Sequence, residues 1–180
     1  SVRHAVRGHV RIVRHIGGLC CGHVTHIQIV VTHHLAQGHA VHTELVGRDL
    51  QRGIRISVLV QSDATVEADP FLLRRAVSNL LDNAVLYGER VQVRLSLQGS
   101  RALVEVRDFG PGIAQASMSA AFEPHVRLSH GQQQNRTGTG LGLGIARNII
   151  QAHGGEIRLH NHAEGGLVVT VLLAALPAEP

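Results

Sequence analysis

Residues 70–88 read PFLLRRAVSNLLDNAVLYG and predict the main helix of the fold. Asp69, just before this stretch, is a good N-cap, Pro70 suits the first helical position, and Gly88 ends the helix. Apolar residues recur at helical spacing along the stretch, which predicts one buried face. That face consists of Leu72, Leu73, Ala76, Val77, Leu80, Leu81 and Ala84.

A pair of asparagines lies on the same predicted helix. Asn79 and Asn83 are four residues apart, so they lie on one side of the helix, one turn from each other. Burying such amides is costly unless they find partners, and an Asn carbonyl oxygen suits a magnesium ion already held by phosphates. The pair therefore indicates either a polar site at the edge of the core or two solvated side chains.

Strands are predicted on both sides of this helix, because short segments of strand character are joined in pairs by turns. The predicted hairpins pair residues 54–60 with 65–69, 91–97 with 102–108, and 156–160 with 167–173. Residues 141–153 predict a second helix, which follows a short helical stretch ending near Phe122 and a polar, glycine-rich loop. The pattern predicts an α+β fold, a two-layer α/β sandwich whose mixed, mostly antiparallel sheet carries helices on one face.

The stretch RDFGPG at 107–112 places Asp108 at the end of a predicted strand. The tripeptide DFG also binds magnesium in protein kinases, but those enzymes need a lysine, and this chain contains none. A carboxylate at a strand end can accept a hydrogen bond from an exocyclic amine such as that of adenine. Gly110 and Gly112 allow the backbone to come close to something flat. A plain turn between a strand and a helix is the alternative.

A second glycine-rich stretch, RTGTGLGLGIAR at 136–147, leads into the second helix. Free N–H groups and the helix dipole make such a helix start a natural anion site. A Rossmann dinucleotide fingerprint has similar spacing, but it follows directly on a strand inside a βαβ unit, and here a polar loop precedes it. Phosphate binding outside a Rossmann fold is therefore the favoured interpretation.

Composition argues against several other classes. All 17 basic residues are arginines, which excludes P-loop NTPases and Schiff-base enzymes in their usual forms because both use a lysine. Aromatic residues make up 2% of the chain and there is no Trp, so a base-stacking surface for nucleic acid is not expected. The uninterrupted apolar runs are far shorter than the roughly 18 residues of a membrane span, so no span is predicted.

Together these motifs resemble the C-terminal catalytic ATP-binding domain of sensor histidine kinases. That domain has the Bergerat-type ATP-binding fold and belongs to a superfamily shared with gyrase, mismatch-repair and heat-shock chaperone ATPases. The resemblance covers residues 44–176 and leaves 177–180 as a tail. The matching motifs are NLLDNA at 79–84 (N box), DFGPG at 108–112 (first glycine box), FEPHVR at 122–127 (F box), GTGLGLGIA at 138–146 (second glycine box) and GGLVVTVLL at 165–173 (final strand).

The resemblance implies a role for each matching residue. Asp108 would bind the adenine amine near Tyr87, Asn83 would bind Mg2+, and Asn79 would support the phosphates. Arg127 would reach the γ-phosphate from a mobile lid and would act with Asn83 in catalysis. The remaining nucleotide contacts would come from Gly110, Gly112, Gly138, Thr139, Gly140, Leu141, Gly142 and Leu143.

The chain departs from the family pattern at two positions. Leu86 stands where the family often has a basic residue, and His125 stands where it often has an aromatic one in the F box. Both positions bear on the strength of the phosphate contacts.

The function implied by the resemblance is transfer of the γ-phosphate of Mg-ATP to a histidine on a dimerisation domain, which would then serve a response regulator. The expected location is the cytoplasm, including the cytoplasmic part of an inner-membrane receptor. The alternative is a nucleotide-binding module without kinase activity. It stays open because no histidine in residues 1–43 has the acidic neighbour of a phosphoacceptor motif.

Residues 1–43 differ from the rest of the chain: they contain no acidic residue but nine of the 14 histidines. A basic amphipathic helix is one interpretation, since valines and arginines repeat at helical spacing in residues 2–16. A soft-metal site is the second, and its ligands would be Cys20, Cys21, His23 and His26. The third, which we favour, is a degenerate or truncated remnant of a dimerisation hairpin.

Overall fold

The computed structural model describes residues 8–15, 28–33, 55–62, 64–88, 90–124 and 140–177. Its strands are β1 Gly8–His15, β2 Gln28–His33, β3 Arg55–Val60, β4 Ala64–Ala68, β5 Arg90–Gln98, β6 Arg101–Asp108, β7 Glu156–Asn161 and β8 Leu167–Ala174. Its helices are α1 Pro70–Tyr87 and α2 Gly142–Ala152, and two short 3-10 turns lie between β6 and α2, Gln115–Ser117 and Ser119–Phe122.

The larger sheet, within the described residues, has five strands in the order β3-β5-β6-β8-β7. β3 runs parallel to β5, and the other neighbouring pairs are antiparallel. The predicted mixed, mostly antiparallel sheet is therefore confirmed, as are the hairpins at 91–108 and 156–173. Alternate residues of β6 face the core, and this buried series, Ala102, Val104 and Val106, ends with Asp108. The central strand of the sheet therefore carries a buried carboxylate at its C-terminal end.

Both helices pack on the sheet and against each other. Leu80 of α1, Ile150 of α2 and Val93 of β5 are almost completely buried between the layers. Full burial of such a side chain contributes about 1.5–3 kcal/mol, so this aliphatic layer holds the sandwich together despite the low aromatic content. The predicted two-layer architecture is confirmed. Neither helix in the described part of the chain is long and apolar enough to span a membrane.

Helix α1 begins and ends where the sequence predicts. The carboxylate of Asp69 accepts the N–H groups of Phe71 at 2.9 Å and Leu72 at 3.1 Å, and Pro70 occupies the first helical position. The predicted apolar face is buried with one exception, because Leu72 is 39% exposed. Leu72 lies roughly 40° further around the helix than Ala76, beyond the edge of the buried stripe, so its inclusion in the core was wrong.

The predicted hairpin of residues 54–60 with 65–69 is wrong. β3 pairs in parallel with β5, whereas β4 pairs antiparallel with β1 in a second sheet of order β2-β1-β4. The N–H of Gln61 donates to the carbonyl of Leu95 at 2.9 Å, which extends the β3–β5 pairing past the strand end. An alternating pattern defines the faces of a strand but not its neighbour, and the short link allows the chain to change sheets.

Part of the segment before residue 44 forms strands. β1 pairs antiparallel with β2 on one side and with β4 on the other. The amphipathic-helix interpretation is therefore wrong for Gly8–His15, where adjacent β-branched residues favour an extended backbone. The cysteine and histidine cluster at 20–26 lies outside the described residues, and the hairpin-remnant interpretation stays a prediction.

Candidate functional site

Asp108 is a buried acid at the C-terminal end of β6, and only 3% of its surface is exposed. Its Oδ1 accepts the N–H of Gly110 at 2.9 Å and the N–H of Leu167 at 3.1 Å. Burial raises the pKa of Asp108 above its ordinary value of 3.8, and the two backbone hydrogen bonds and the Arg107 charge oppose this rise. Burying a carboxylate is costly, so its presence here indicates a functional role.

The turn after Asp108 packs tightly against the C-terminal end of α1. A side chain at Gly110 would collide with the carbonyl of Tyr87, and one at Gly88 would come within 3.0 Å of the Asp108 Cβ. Gly112 has a φ of +73°, a conformation that favours glycine. Gly88 and Gly110 therefore let the turn approach the end of α1 closely, which brings the backbone of Tyr87 next to the turn that holds the carboxylate.

The β7–β8 connection encloses the same turn from the other side. Gly166 has a φ of +89°, and any side chain there would overlap the carbonyl of Asp108. Asn161 bonds both backbone groups of Ile113, at 2.9 Å through Oδ1 and 2.7 Å through Nδ2. Sequence reasoning missed both residues as parts of the site. The sequence places Gly166 only in the link between two predicted strands, and nothing local to Asn161 signals a partner 48 residues away.

Phe109 turns away from the core and lies between two arginines. The guanidinium carbon of Arg90 is 3.6 Å from the ring centroid, and that of Arg107 is 4.1 Å from it. Arg107 also contacts the Nε2 of His162 at 3.1 Å and donates to the carbonyl of Gly165 at 3.2 Å. These contacts tie the middle of the motif to the sheet, so Phe109 anchors the turn.

Asn79 lies where α1 meets the start of α2. A Cβ added at Gly142 would lie 3.8 Å from the Asn79 Oδ1, so the start of α2 lies against Asn79. The Nδ2 of Asn79 is buried and has no hydrogen-bond partner among the residues that the structure describes. Helix α2 begins without a side-chain cap and without an acid in its first turn. The uncapped start of α2 therefore lies beside Asn79, and uncapped N–H groups of this kind can bind an anion.

The structure places most of the predicted site residues. Asn83 is half-buried one turn beyond Asn79, and Gly140 has a φ of +68° just before α2. Leu141 precedes α2, and Leu143 is buried in the core, so only its backbone can contribute to a cradle. Arg127, Gly138 and Thr139 lie outside the described residues. The ligand roles of all these residues stay predictions.

Comparison with known proteins decides the family. The family model described as histidine kinase-, DNA gyrase B-, and HSP90-like ATPase matches residues 68–177. The chain belongs to this family. Its closing β7–β8 hairpin and both helices fall inside the matched range. The matched residues thus form an ATP-binding catalytic domain of the sensor histidine kinase type.

Similar proteins support this assignment. The chain is 42% identical over 125 residues to the sensor histidine kinase GtrS of Pseudomonas aeruginosa, a match that covers 69% of the chain and 26% of GtrS. It is 32% identical over 131 residues to the sensor histidine kinase component HK1 of Mycobacterium tuberculosis, covering 72% of the chain and 77% of HK1. A solved structure of the mycobacterial sensor histidine kinase MprB superposes with a TM-score of 0.66 at 31% identity. The match covers 73% of this chain and 90% of the MprB chain. The chain therefore spans about a quarter of GtrS and most of HK1.

Proposed function

We propose that this chain binds Mg-ATP along α1 and transfers the γ-phosphate to a histidine on a separate dimerisation domain, which then serves a response regulator. The observation that carries the proposal is that two unusual side chains lie at two points along α1, one of them contributed by β6. The buried carboxylate of Asp108 lies at the C-terminal end of α1, and the unpartnered amide of Asn79 lies beside the start of α2. The first suits a base and the second suits phosphates.

Asp108 would read the adenine. Two backbone N–H groups occupy its Oδ1, and neither of them donates to Oδ2. The exocyclic amine of adenine can donate to Oδ2, and a hydrogen bond to a carboxylate is stronger than one between neutral groups. The neighbouring Gly88 and Gly110 let the turn pack against the end of α1, which holds the carboxylate in place for the base.

Asn79 and the first turn of α2 would hold the phosphates. The buried Nδ2 of Asn79 lacks an acceptor within the described part of the chain, and a phosphate oxygen would supply one. The uncapped N–H groups of α2 would donate to the same chain of phosphates. These donors suit the charge of a triphosphate, and they lie on two elements that pack against each other, α1 and α2.

Asn83 would bind the magnesium ion. It lies one turn from Asn79 on α1 and is half-buried, and its carbonyl oxygen is the type of hard ligand that Mg2+ accepts next to phosphates. When bound, Mg2+ would neutralise phosphate charge. Arg127 would add a positive charge at the γ-phosphate, and the protein would contribute mainly by positioning.

Transfer of label from γ-labelled ATP to a separate histidine-containing dimerisation domain tests the proposed reaction. Label on the histidine is expected, and tight ATP binding without label would contradict kinase activity. Asn83→Ala should weaken ATP binding in the presence of Mg2+ but change little in EDTA. Asn148→Ala, an exposed asparagine on α2, is the matched control and should bind Mg-ATP like the wild type.

A further inference from the structure

Asn161, the last residue of β7, holds the turn that follows Asp108. Its carboxamide accepts the N–H of Ile113 at 2.9 Å and donates to the carbonyl of Ile113 at 2.7 Å. One side chain therefore pairs both backbone groups of one residue, as a neighbouring strand would. None of the nucleotide roles proposed above involves Asn161.

The same carboxamide also fixes the position of Gly112. A Cβ added at Gly112 would lie 2.5 Å from the Asn161 Oδ1, so backbone and amide are in direct contact. On the other side, Ile113 is only 8% exposed and packs in the core. The end of the turn is thus held between the core and Asn161.

A shift of this turn would reach the carboxylate of Asp108. Gly110, three residues before Ile113, donates its N–H to the Asp108 Oδ1 at 2.9 Å. If the turn moved away, that hydrogen bond would lengthen and the carboxylate could rotate. The Leu167 N–H would still donate to Oδ1 at 3.1 Å, so the orientation of Oδ2 toward a base depends in part on how firmly Ile113 is held.

We propose that Asn161 is a positioning residue of the adenine site, which keeps the turn at residues 110–113 in place so that Asp108 presents Oδ2 to the base amine. The inference rests on the proposed function. It differs from a purely structural role in one respect: loss of Asn161 should weaken recognition of the amine and leave the rest of the nucleotide contacts intact.

The test compares ATP with inosine triphosphate, which has the same phosphates and ribose but lacks the exocyclic amine. Dissociation constants of both Mg-nucleotides are measured by calorimetry on the full 180-residue chain. For Asn161→Ala we expect the Kd for ATP to rise about tenfold, the scale of one or two lost hydrogen bonds, with the Kd for inosine triphosphate changed less than about twofold. His160→Ala, an exposed neighbour on the same strand, should change neither.

Equal weakening of both nucleotides by Asn161→Ala, or no weakening of ATP, would overturn the inference. Asn161→Asp provides a second variant, since it keeps the Oδ1 acceptor and loses the Nδ2 donor. It should lower the preference for ATP by a smaller factor, and an unchanged preference would count against the positioning role. Asp108→Asn separates this inference from the proposed function: if that variant also keeps full preference for ATP, the adenine assignment itself fails.

Discussion

Replacing Asp108 with Asn should weaken ATP binding and change how the stability of the free protein depends on pH. In the folded chain, Oδ1 accepts the N–H groups of Gly110 and Leu167, so an Asn side chain must keep its oxygen there. Its NH2 group then takes the place of Oδ2, and the amine of adenine meets a donor instead of an acceptor. Loss of a hydrogen bond to a charged group costs about 1.5–3 kcal/mol, or roughly 10- to 150-fold in Kd.

The effect on stability follows from the raised pKa of Asp108. A group that binds its proton more tightly when folded stabilises the fold fully below its ordinary pKa, here 3.8, and loses that contribution as pH rises through the raised value. At neutral pH the wild type has therefore lost this stabilisation. An Asn side chain cannot ionise, so the stability of the variant relative to the wild type should increase as pH rises from below 3.8 toward neutrality.

Urea unfolding at several pH values gives the free energy of unfolding for both proteins, and calorimetry gives the Kd for Mg-ATP. Glu105→Gln, on the opposite face of the same strand, is the control. It should leave the Kd for Mg-ATP unchanged, and its free energy of unfolding should not show the pH dependence expected for Asp108→Asn. A constant stability difference across the pH range would refute the argument from burial. Unchanged ATP affinity would refute the assignment of the carboxylate.

Three further substitutions, one of them with a control at Gly99, test packing within the domain. Asn79→Leu should raise the free energy of unfolding by about 1 kcal/mol, because it removes a buried donor without a partner, yet weaken ATP binding; urea unfolding and calorimetry measure both. Gly166→Ala should destabilise the fold by more than about 3 kcal/mol in urea, because the added Cβ overlaps the backbone and the positive φ is strained for alanine. Gly99→Ala is the control: Gly99 has a φ of +60° but lies in open space, so the cost should be only about 1 kcal/mol. His153→Ala should lower the free energy of unfolding by about 1–3 kcal/mol in the same assay. The His153 ring accepts the Asp69 N–H at 3.0 Å and contacts the carbonyl of Ile149 in α2 at 2.7 Å, and both contacts would be lost. An unchanged free energy of unfolding would show these bonds to be weak.

Local chemistry made part of this fold predictable. The start of α1 follows from an N-cap and a proline, and its buried face follows from helical spacing, so both were found in the sequence. The hairpins at 91–108 and 156–173 are close in sequence and needed no distant information. The Asp108 carboxylate was found because a strand pattern places it at a strand end.

Features that depend on distant parts of the chain were not predictable in this way. The neighbour of β3 is β5, which lies beyond α1, and no residue of β3 specifies that choice. Asn161 reaches a turn 48 residues earlier, and Leu167 donates to a carboxylate 59 residues earlier. Leu72 was misassigned for a different reason, because a position at the edge of an apolar stripe can face either way.

Helix α1 also limits the size of any ligand that uses both ends of the site. Asn79 and Tyr87 lie on one continuous helix, eight residues apart, which corresponds to roughly 12 Å along its axis. A helix hardly stretches or shortens, so movement of the surrounding loops can change how tightly a ligand is enclosed but not this length. Affinity can be altered at either end by single substitutions. A change in ligand length would require residues to be inserted into α1, and each inserted residue would also turn one end of the site by about 100° away from the other.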